Sequence, residues 1–316
     1  MGRMQKPRCS VERSICHVDN RDEKWIKSGR IGGCVDKKTE IVQVKDTGRV
    51  KRLFAGWEET MIWSCLQGIM GAVYAEKEGL PRAAKAVLGD FVFLAGEPSK
   101  ELLFYQTYNK KEDFRILVPQ NDEWEELIES TYGKQAEKIR RIAIQKEPGI
   151  WKKARLEQFV QELPKEYELR LIDRELYELC RQQEWSQDLV SQFPDYEIYR
   201  KWGLGVAVLS GTELVCGASS YSRYKEGIEI EIDTKEGHKR KGLATACAAR
   251  LILECQERGI YPSWDAHTEA SAALAEKLGY HRGEAYTAYI LNWRHGVFQP
   301  VGRKKKNLRT LTRKQK

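Results

Sequence analysis

Three carboxylates at two-residue spacing, Glu229, Glu231 and Asp233, lie in the stretch Ile228-Glu-Ile-Glu-Ile-Asp-Thr234. Side chains of an extended chain alternate between faces, so the acids share one face and Ile228, Ile230 and Ile232 the other. A carboxylate beside a cleft can take a proton from an ammonium group, whose pKa of about 10 keeps it charged at neutral pH. Directly downstream, Lys235-Glu-Gly-His-Lys-Arg-Lys241 is a basic turn, and Gly242-Leu-Ala-Thr-Ala-Cys-Ala-Ala-Arg250 reads as a helix that opens on glycine. Amides of a first helical turn have no intrahelical partner, the macrodipole adds positive charge, and glycine lets a ligand approach the backbone; the natural ligand is a phosphate or pyrophosphate. Neither G-x-x-x-x-G-K-[ST] nor G-x-G-x-x-G occurs in this loop, which argues against a Walker-type or Rossmann nucleotide site. On local pattern alone, a solvated basic turn before a helix is an equal alternative.

The surrounding chain alternates helices and strands. Apolar residues from Met61 to Val73 recur at three- and four-residue steps and predict a helix, followed by a second short helix over Arg82–Val87. Strands are expected over Asp90–Ala95, Phe114–Val118 and Arg140–Ile144, with a helix from Asn121, as cap, to Tyr132. This α/β lobe would span 53–149 and end near Glu147-Pro148-Gly149. A helix over Trp151–Leu163 then opens a second lobe, 150–295. Its expected elements are strand Tyr167–Ile172, helix Asp173–Arg181, a helical stretch Trp185–Trp202 divided by Pro194, and strands Gly205–Ser210, Glu213–Tyr221 and Ile228–Thr234. Helix Gly242–Arg258, strand Tyr261–Ala266, helix Thr268–Leu278 and strand Ala285–Asn292 complete it. Residues 1–52 read as a poorly ordered extension with at most a hairpin near 31–45, and 296–316 as a basic, disordered tail.

Composition narrows the classes. The 316 residues are 41% hydrophobic and 32% charged, as in a globular protein with ample core. The stretch Met61–Ala75 is too short and too polar, with Ser64, Gln67, Gly68 and Gly71, to span a bilayer. Charged residues near the start interrupt any signal-type apolar region, so a cytoplasmic location is expected. Eight cysteines without a C-x-x-C pair then read as free thiols, Cys247 and Cys255 as helix-packing residues, and the irregular set Cys9, Cys16, His17 and Cys34 as no zinc site. His238 and His267 lack metal-ligand spacing, so no metal is expected. The net charge of +8 is uneven: residues 303–316 carry eight Lys/Arg and no acid, whereas residues 53–302 hold 32 basic against 39 acidic residues. An acidic body steers cations toward itself and is weak ground for a nucleic-acid partner; only the basic tail supports one.

The run Lys239-Arg-Lys-Gly242-Leu-Ala244 after an acidic strand resembles the acetyl-CoA pyrophosphate motif of the GNAT N-acetyltransferases, Gln/Arg-x-x-Gly-x-Gly/Ala. Trp264-Asp-Ala-His-Thr-Glu-Ala-Ser271 and Leu274-Ala-Glu-Lys-Leu-Gly-Tyr280 resemble the family's later strand and helix. With Phe54-Ala-Gly-Trp-Glu-Glu-Thr-Met61 and Gly89-Asp-Phe-Val-Phe-Leu-Ala-Gly96, the resemblance is to the branch that includes the zwittermicin A resistance acetyltransferases. It covers roughly residues 53–294, most strongly 200–292. It implies an α/β (α+β) fold, a mixed and mostly antiparallel sheet flanked by helices, preceded by a smaller α/β lobe. Lys239 departs from Gln or Arg, Thr268 from Asn, and Ala275 stands where many members place a tyrosine that protonates the departing thiolate.

The resemblance implies transfer of the acetyl group of acetyl-CoA, as co-substrate, to a primary amine of a small molecule by direct attack in a ternary complex. Glu229 and Glu231 are the candidate bases, Glu229 slightly favoured by its place near the strand start, and Tyr280 a candidate acid whose alternative is core packing. Cofactor contacts are expected at Ile232, Thr234, Lys239, Arg240, Lys241, Gly242, Leu243, Ala244, Thr245, Thr268, Ser271 and Lys277, with a strand amide near Ile232 or Thr234 polarising the carbonyl. The acidic body favours a cationic acceptor such as an aminopolyol, polyamine or aminoglycoside-like compound. Ala275 motivates a different class of function, a non-catalytic acetyl-CoA-binding or regulatory protein, which would bind without turnover. A third, a nucleic-acid-associated protein working through the tail, would bind with a steep salt dependence.

Overall fold

Two sheets organise residues 40–105 and 114–292, which a computed structural model describes; all belong to one compact unit. The cysteines at 9, 16 and 34, His17, most of the expected 31–45 hairpin and the basic tail lie outside the described residues. In chain order the elements are β1 (Ile41–Gln43), α1 (Thr60–Gln67), β2 (Ala72–Glu76), β3 (Ala83–Leu88), β4 (Phe91–Gly96), α2 (Lys100–Phe104), β5 (Phe114–Pro119), α3 (Asp122–Tyr132), β6 (Ala136–Ile144), α4 (Lys153–Gln161) and β7 (Tyr167–Leu171). There follow α5 (Arg174–Arg181), α6 (Tyr196–Trp202), β8 (Gly205–Ser210), β9 (Glu213–Tyr224), β10 (Gly227–Thr234), α7 (Leu243–Glu257), β11 (Tyr261–Ser263), β12 (Asp265–Ala266), α8 (Glu269–Leu278) and β13 (Arg282–Asn292). One sheet has the order β1-β2-β3-β4-β5-β13-β6-β12, the other β11-β10-β9-β8-β7. Pairing is antiparallel except between β4 and β5 and between β10 and β11. The mixed, mostly antiparallel architecture flanked by helices is the expected one.

The strands do not divide at residue 149. β13, from the end of the described chain, inserts between β5 and β6 and pairs with both. The expected lobes are therefore stitched together by one strand, a long-range pairing that local pattern does not encode. Order also begins before Leu53: Ile41–Gln43 already pairs with β2.

Two other expectations fail for identifiable reasons. The helix from Met61 stops at Gly68, a left-handed C-cap whose N–H bonds back to Ser64 and Cys65, and Gly71 turns the chain into β2, so Val73 is a strand residue. Arg82–Val87 is no helix: Ala83–Leu88 is β3, paired on both edges by β2 and β4. Its alanines have high helix propensity, yet tertiary pairing overrides it. Ala84, Ala86 and Leu88 then pack beneath α1 while Ala83 and Val87 face the other core.

In the five-stranded sheet, Ile228 and Ile230 pack with Leu243, Cys247, Leu251 and Ile252 of α7, each fully buried aliphatic contributing on the order of 2 kcal/mol. Cys247 and Cys255 are both buried there. The other face is covered by α5, α6 and the 3-10 turn Gln187–Leu189. α1 contacts both sheets, through β3 and β9, and so roofs their junction. No helix among the described residues is long and apolar enough to cross a membrane.

Candidate active site

Strand pairing opens the site. β11 runs beside β10 only over Gly227–Glu229 opposite Tyr261–Ser263. Beyond that point β10 stays with β9, whereas Asp265 and Ala266 cross to β6 in the other sheet. The expected single strand Tyr261–Ala266 is thus two strands in two sheets, parted at Trp264. Trp264 is buried; its indole N–H donates to Ser271 Oγ at 3.1 Å and its ring meets Tyr280 edge-on, which pins the divergence. From Ile230 to Thr234 the outer edge of β10 has no strand beside it among the described residues, so backbone groups not used by β9 face the gap. A cavity of about 940 Å³ fills it.

One end of the cavity is cationic. After a 3-10 turn at Glu236–His238, Arg240 has φ 63, the only non-glycine at positive φ among the described residues, and Gly242 follows at φ 81 as N-cap of α7 with no side-chain cap. The first intrahelical bond is Ala246 N–H to Gly242 O at 3.1 Å, which leaves the amides of Leu243, Ala244 and Thr245 without helical partners. A Cβ at Gly242 would meet nothing within 4 Å, so the backbone angle, and not crowding, demands glycine. His238, Lys239 and Arg240 line the same end. Unpaired amides, helix dipole and two basic side chains fit a diphosphate.

The remaining expected cofactor residues divide. Ile232, Thr234, Gly242, Leu243, Ala244, Thr245, Thr268 and Ser271 border the cavity. Thr268 also caps α8, accepting from Ser271 N–H at 3.2 Å, a local duty that threonine performs as well as asparagine. Lys241 is turned to β7, its Nζ donating to Tyr167 Oη at 3.2 Å, and Lys277 reaches Thr245 Oγ1 at 3.4 Å over the Phe159 ring; neither borders the cavity.

The same cavity carries a group of acids. Glu231 and Asp233 line it, joined by Asp90 at the start of β4 and Asp188 from the 3-10 turn. Burial, with Asp233 and Asp188 nearby, pushes the Glu231 carboxyl up to about 8, against the pull of Arg141 and the Ile232 amide. Asp233 is pushed up to about 6 by burial and Asp188, against the pull of Lys239. Glu229 lies deeper, 5% exposed and off the cavity wall; Thr60 Oγ1 donates to its Oε2, and burial raises it to about 7. Glu59, the residue before α1, is raised to about 8 by burial and by Asp265 and Glu229. Beside them Arg141 of β6 donates to Asp265 Oδ2 from Nε at 2.7 Å and from Nη2 at 2.6 Å, and Tyr286 Oη donates to the same oxygen at 3.0 Å.

Tyr280 is elsewhere. It is 1% exposed, its hydroxyl donates to Pro262 O at 2.6 Å, and its ring packs against Trp151 and Trp264. The phenol donates into the core and does not border the cavity, which is the placement the core-packing alternative describes. Asp90, Asp188, Arg141 and Tyr221 line the cavity without having been singled out in the sequence, and Glu59 is buried near Asp265 and Glu229. Glu59 and Asp90 fall in the upstream motifs at 54–61 and 89–96, which was the available signal; Asp188 and Arg141 carried none. Among the described residues no group of His, Cys, Asp and Glu is arranged to hold a metal ion.

Comparison with known proteins agrees with this geometry. A family model described as GNAT acetyltransferase matches residues 51–289. The uncharacterized N-acetyltransferase YdfB of Bacillus subtilis (strain 168) is 29% identical over 247 residues, 73% of this chain and 89% of that one. The crystal structure of a GCN5-related N-acetyltransferase-like protein from Streptococcus suis 89/1591 superposes with a TM-score of 0.74 at 46% identity, covering 79% of this chain and 98% of the other. A Drosophila protein of 12% identity shares the fold, with a TM-score of 0.53 over 80% of this chain and 98% of its own. The chain belongs to the GNAT acetyltransferase family and is an acetyl-CoA-dependent acetyltransferase.

Proposed function

We propose that the acetyl acceptor is a primary amine of a cationic small molecule and that Glu231 takes the amine proton. The observation that carries this reading is that one cavity is lined both by the helix start whose amides are unpaired, with Lys239 and Arg240, and by the carboxylates of Glu231, Asp233, Asp188 and Asp90. Acetyl-CoA supplies an activated acyl group as its thioester. Leu243, Ala244 and Thr245 would hold the diphosphate through their N–H groups, with Lys239 and Arg240 adding charge. Edge amides of β10 near Ile232 and Thr234 would orient and polarise the acyl carbonyl. The acids that line the cavity favour entry of an ammonium ion.

Glu231 suits the proton transfer because its raised pKa lies closer to that of the amine and because it borders the cavity. Glu229, the other carboxylate considered, is screened from the cavity and already paired with Thr60. The motifs at 54–61 and 89–96, which resemble the zwittermicin A resistance branch, supply acids beside the acceptor end and support a small molecule there. Thiol release from acetyl-CoA by the full chain with a panel of primary amines tests the reading: turnover abolished in Glu231→Gln supports it, and turnover unaffected by that change overturns the assignment of the base.

A further inference from the structure

One stretch of the cavity wall is an apolar row, bordered by the Arg141 guanidinium that lies over the Phe91 ring, and strand register builds it. Phe91 pairs with Ile116 across β4 and β5, and Ile116 with Ile290 across β5 and β13. Three neighbouring strands therefore present apolar side chains in one row, on the sheet face whose next residues, Phe93, Val118 and Ala288, form the core under α1. All three members of the row border the cavity.

Tyr221 stands at the edge of this row. Ser222 pairs with Glu229 and Ser220 with Ile230, so Tyr221 is the extra residue of a bulge. Its ring meets Phe91 edge-on at 5.9 Å, and it is 6% exposed. The phenol oxygen accepts the Asp90 N–H at 3.0 Å, an approach possible because residue 89 is glycine: a Cβ there would lie 2.2 Å from that oxygen. Among the described residues nothing accepts the Tyr221 O–H, and burial beside the Asp90 carboxylate keeps the phenol protonated. A fixed, buried donor at a cavity wall calls for an acceptor atom on the ligand.

We propose that the acetyl acceptor is an amine with an apolar body, an aryl or branched-alkyl group, that lies on the Phe91–Ile116–Ile290 row, directs its ammonium to Glu231 and offers an oxygen to the Tyr221 hydroxyl. The proposal rests on the acetyl-transfer reading and narrows its substrate class. A polyhydroxylated amine would set hydroxyls against the row itself, where desolvation disfavours them, and a linear polyamine would bring a second ammonium group to the same apolar row.

The test is thiol release by the full chain with acetyl-CoA and four amines: 2-phenylethylamine, its β-hydroxy derivative, spermidine and glucosamine. The arylethylamines are expected to have kcat/KM at least about tenfold above the other two, the scale on which apolar pockets discriminate. Ile290→Asn, at a half-buried position, should raise KM for the arylethylamines about tenfold and leave KM for acetyl-CoA unchanged. Tyr221→Phe, which keeps the ring, should erase the advantage of the β-hydroxy compound over its parent. Preference for spermidine or glucosamine, or an Ile290→Asn effect equal on all four amines, overturns the proposal while leaving acetyl transfer intact. Absence of thiol release with every amine overturns the acetyl-transfer reading itself.

Discussion

Thr60, the first residue of α1, donates its hydroxyl hydrogen to Glu229 of β10, so that a helix packed on the eight-stranded sheet closes over a carboxylate of the five-stranded one. Glu229 keeps a second oxygen, Oε1, buried and without a partner among the described residues. Two residues further along the same face of the strand, Glu231 opens to the cavity. One face of β10 thus carries one acid enclosed beneath α1 and another that borders the cavity.

Glu231→Gln is expected to lower kcat by about 10²–10⁴-fold, the usual contribution of a positioned base, with little change in KM for acetyl-CoA. Because the carboxyl sits at about 8, the wild-type rate should climb as pH rises through that value and the carboxylate forms. A pH–rate profile already flat above pH 5 would exclude Glu231.

Thr60→Val should destabilise the fold. It leaves the charged form of Glu229 with no hydroxyl donor, and a hydrogen bond to a charged group is worth about 1.5–3 kcal/mol. Thermal melts above pH 7, where Glu229 ionises, should show a larger loss than melts at pH 5. Equal losses at both pH values would mean that the hydroxyl does not serve the carboxylate.

Stability of the wild-type chain should itself fall between about pH 4.5 and 8. Glu229 and Glu59 have folded-state pKa values of about 7 and 8, above the value of about 4.3 for an unfolded glutamate. In that window the folded state holds protons that the unfolded chain has released, so raising the pH favours unfolding. Their stabilising contribution is complete below the unfolded pKa and lost as pH passes the folded values. Glu229→Gln should flatten the slope and raise the melting temperature at pH 8, as read by calorimetry.

Gly242→Ala probes the diphosphate cradle. The added methyl meets open space, but φ 81 costs an alanine about 1–2 kcal/mol. The start of α7 should shift to relieve this, and titration calorimetry should show acetyl-CoA affinity at least about tenfold weaker while the melting temperature changes little. Unchanged affinity would remove the loop from the site.

Arg141→Ala breaks the tie between β6 and β12 and strands the Asp265 carboxylate, whose Oδ1 already lacks a partner among the described residues. Removing one member of a buried pair costs about 3–5 kcal/mol. Arg141→Lys should recover only part of this, since an ammonium cannot reproduce the two-point fork on Oδ2. Chemical denaturation of both variants checks the order.

Much of the fold was legible because local physics determined it. Alternation marked β10, Asn121 marked the start of α3 by accepting from Trp124 N–H, and Gly242 marked the start of α7. β3 is hidden in the sequence because Ala-Ala-Lys-Ala-Val-Leu carries helix propensity, and only its two partner strands make it extended. Tyr261–Ala266 looks like one strand because nothing in its residues records that they pair into two different sheets.

The sequence by itself determined the chemical inventory: an acidic strand, a basic turn and a glycine-opened helix in succession, which neighbouring residues and the 2.0 and 3.6 periodicities suffice to place. Tertiary structure alone sets which of the acids borders the cavity. Glu229 and Glu231 are indistinguishable by type and by face, and they differ only because α1, 169 residues earlier in the chain, lays Thr60 over the first and leaves the second beside the gap where β10 and β12 part. Burial and charge at a site come from segments distant in sequence, and the periodicity of one strand carries no record of them.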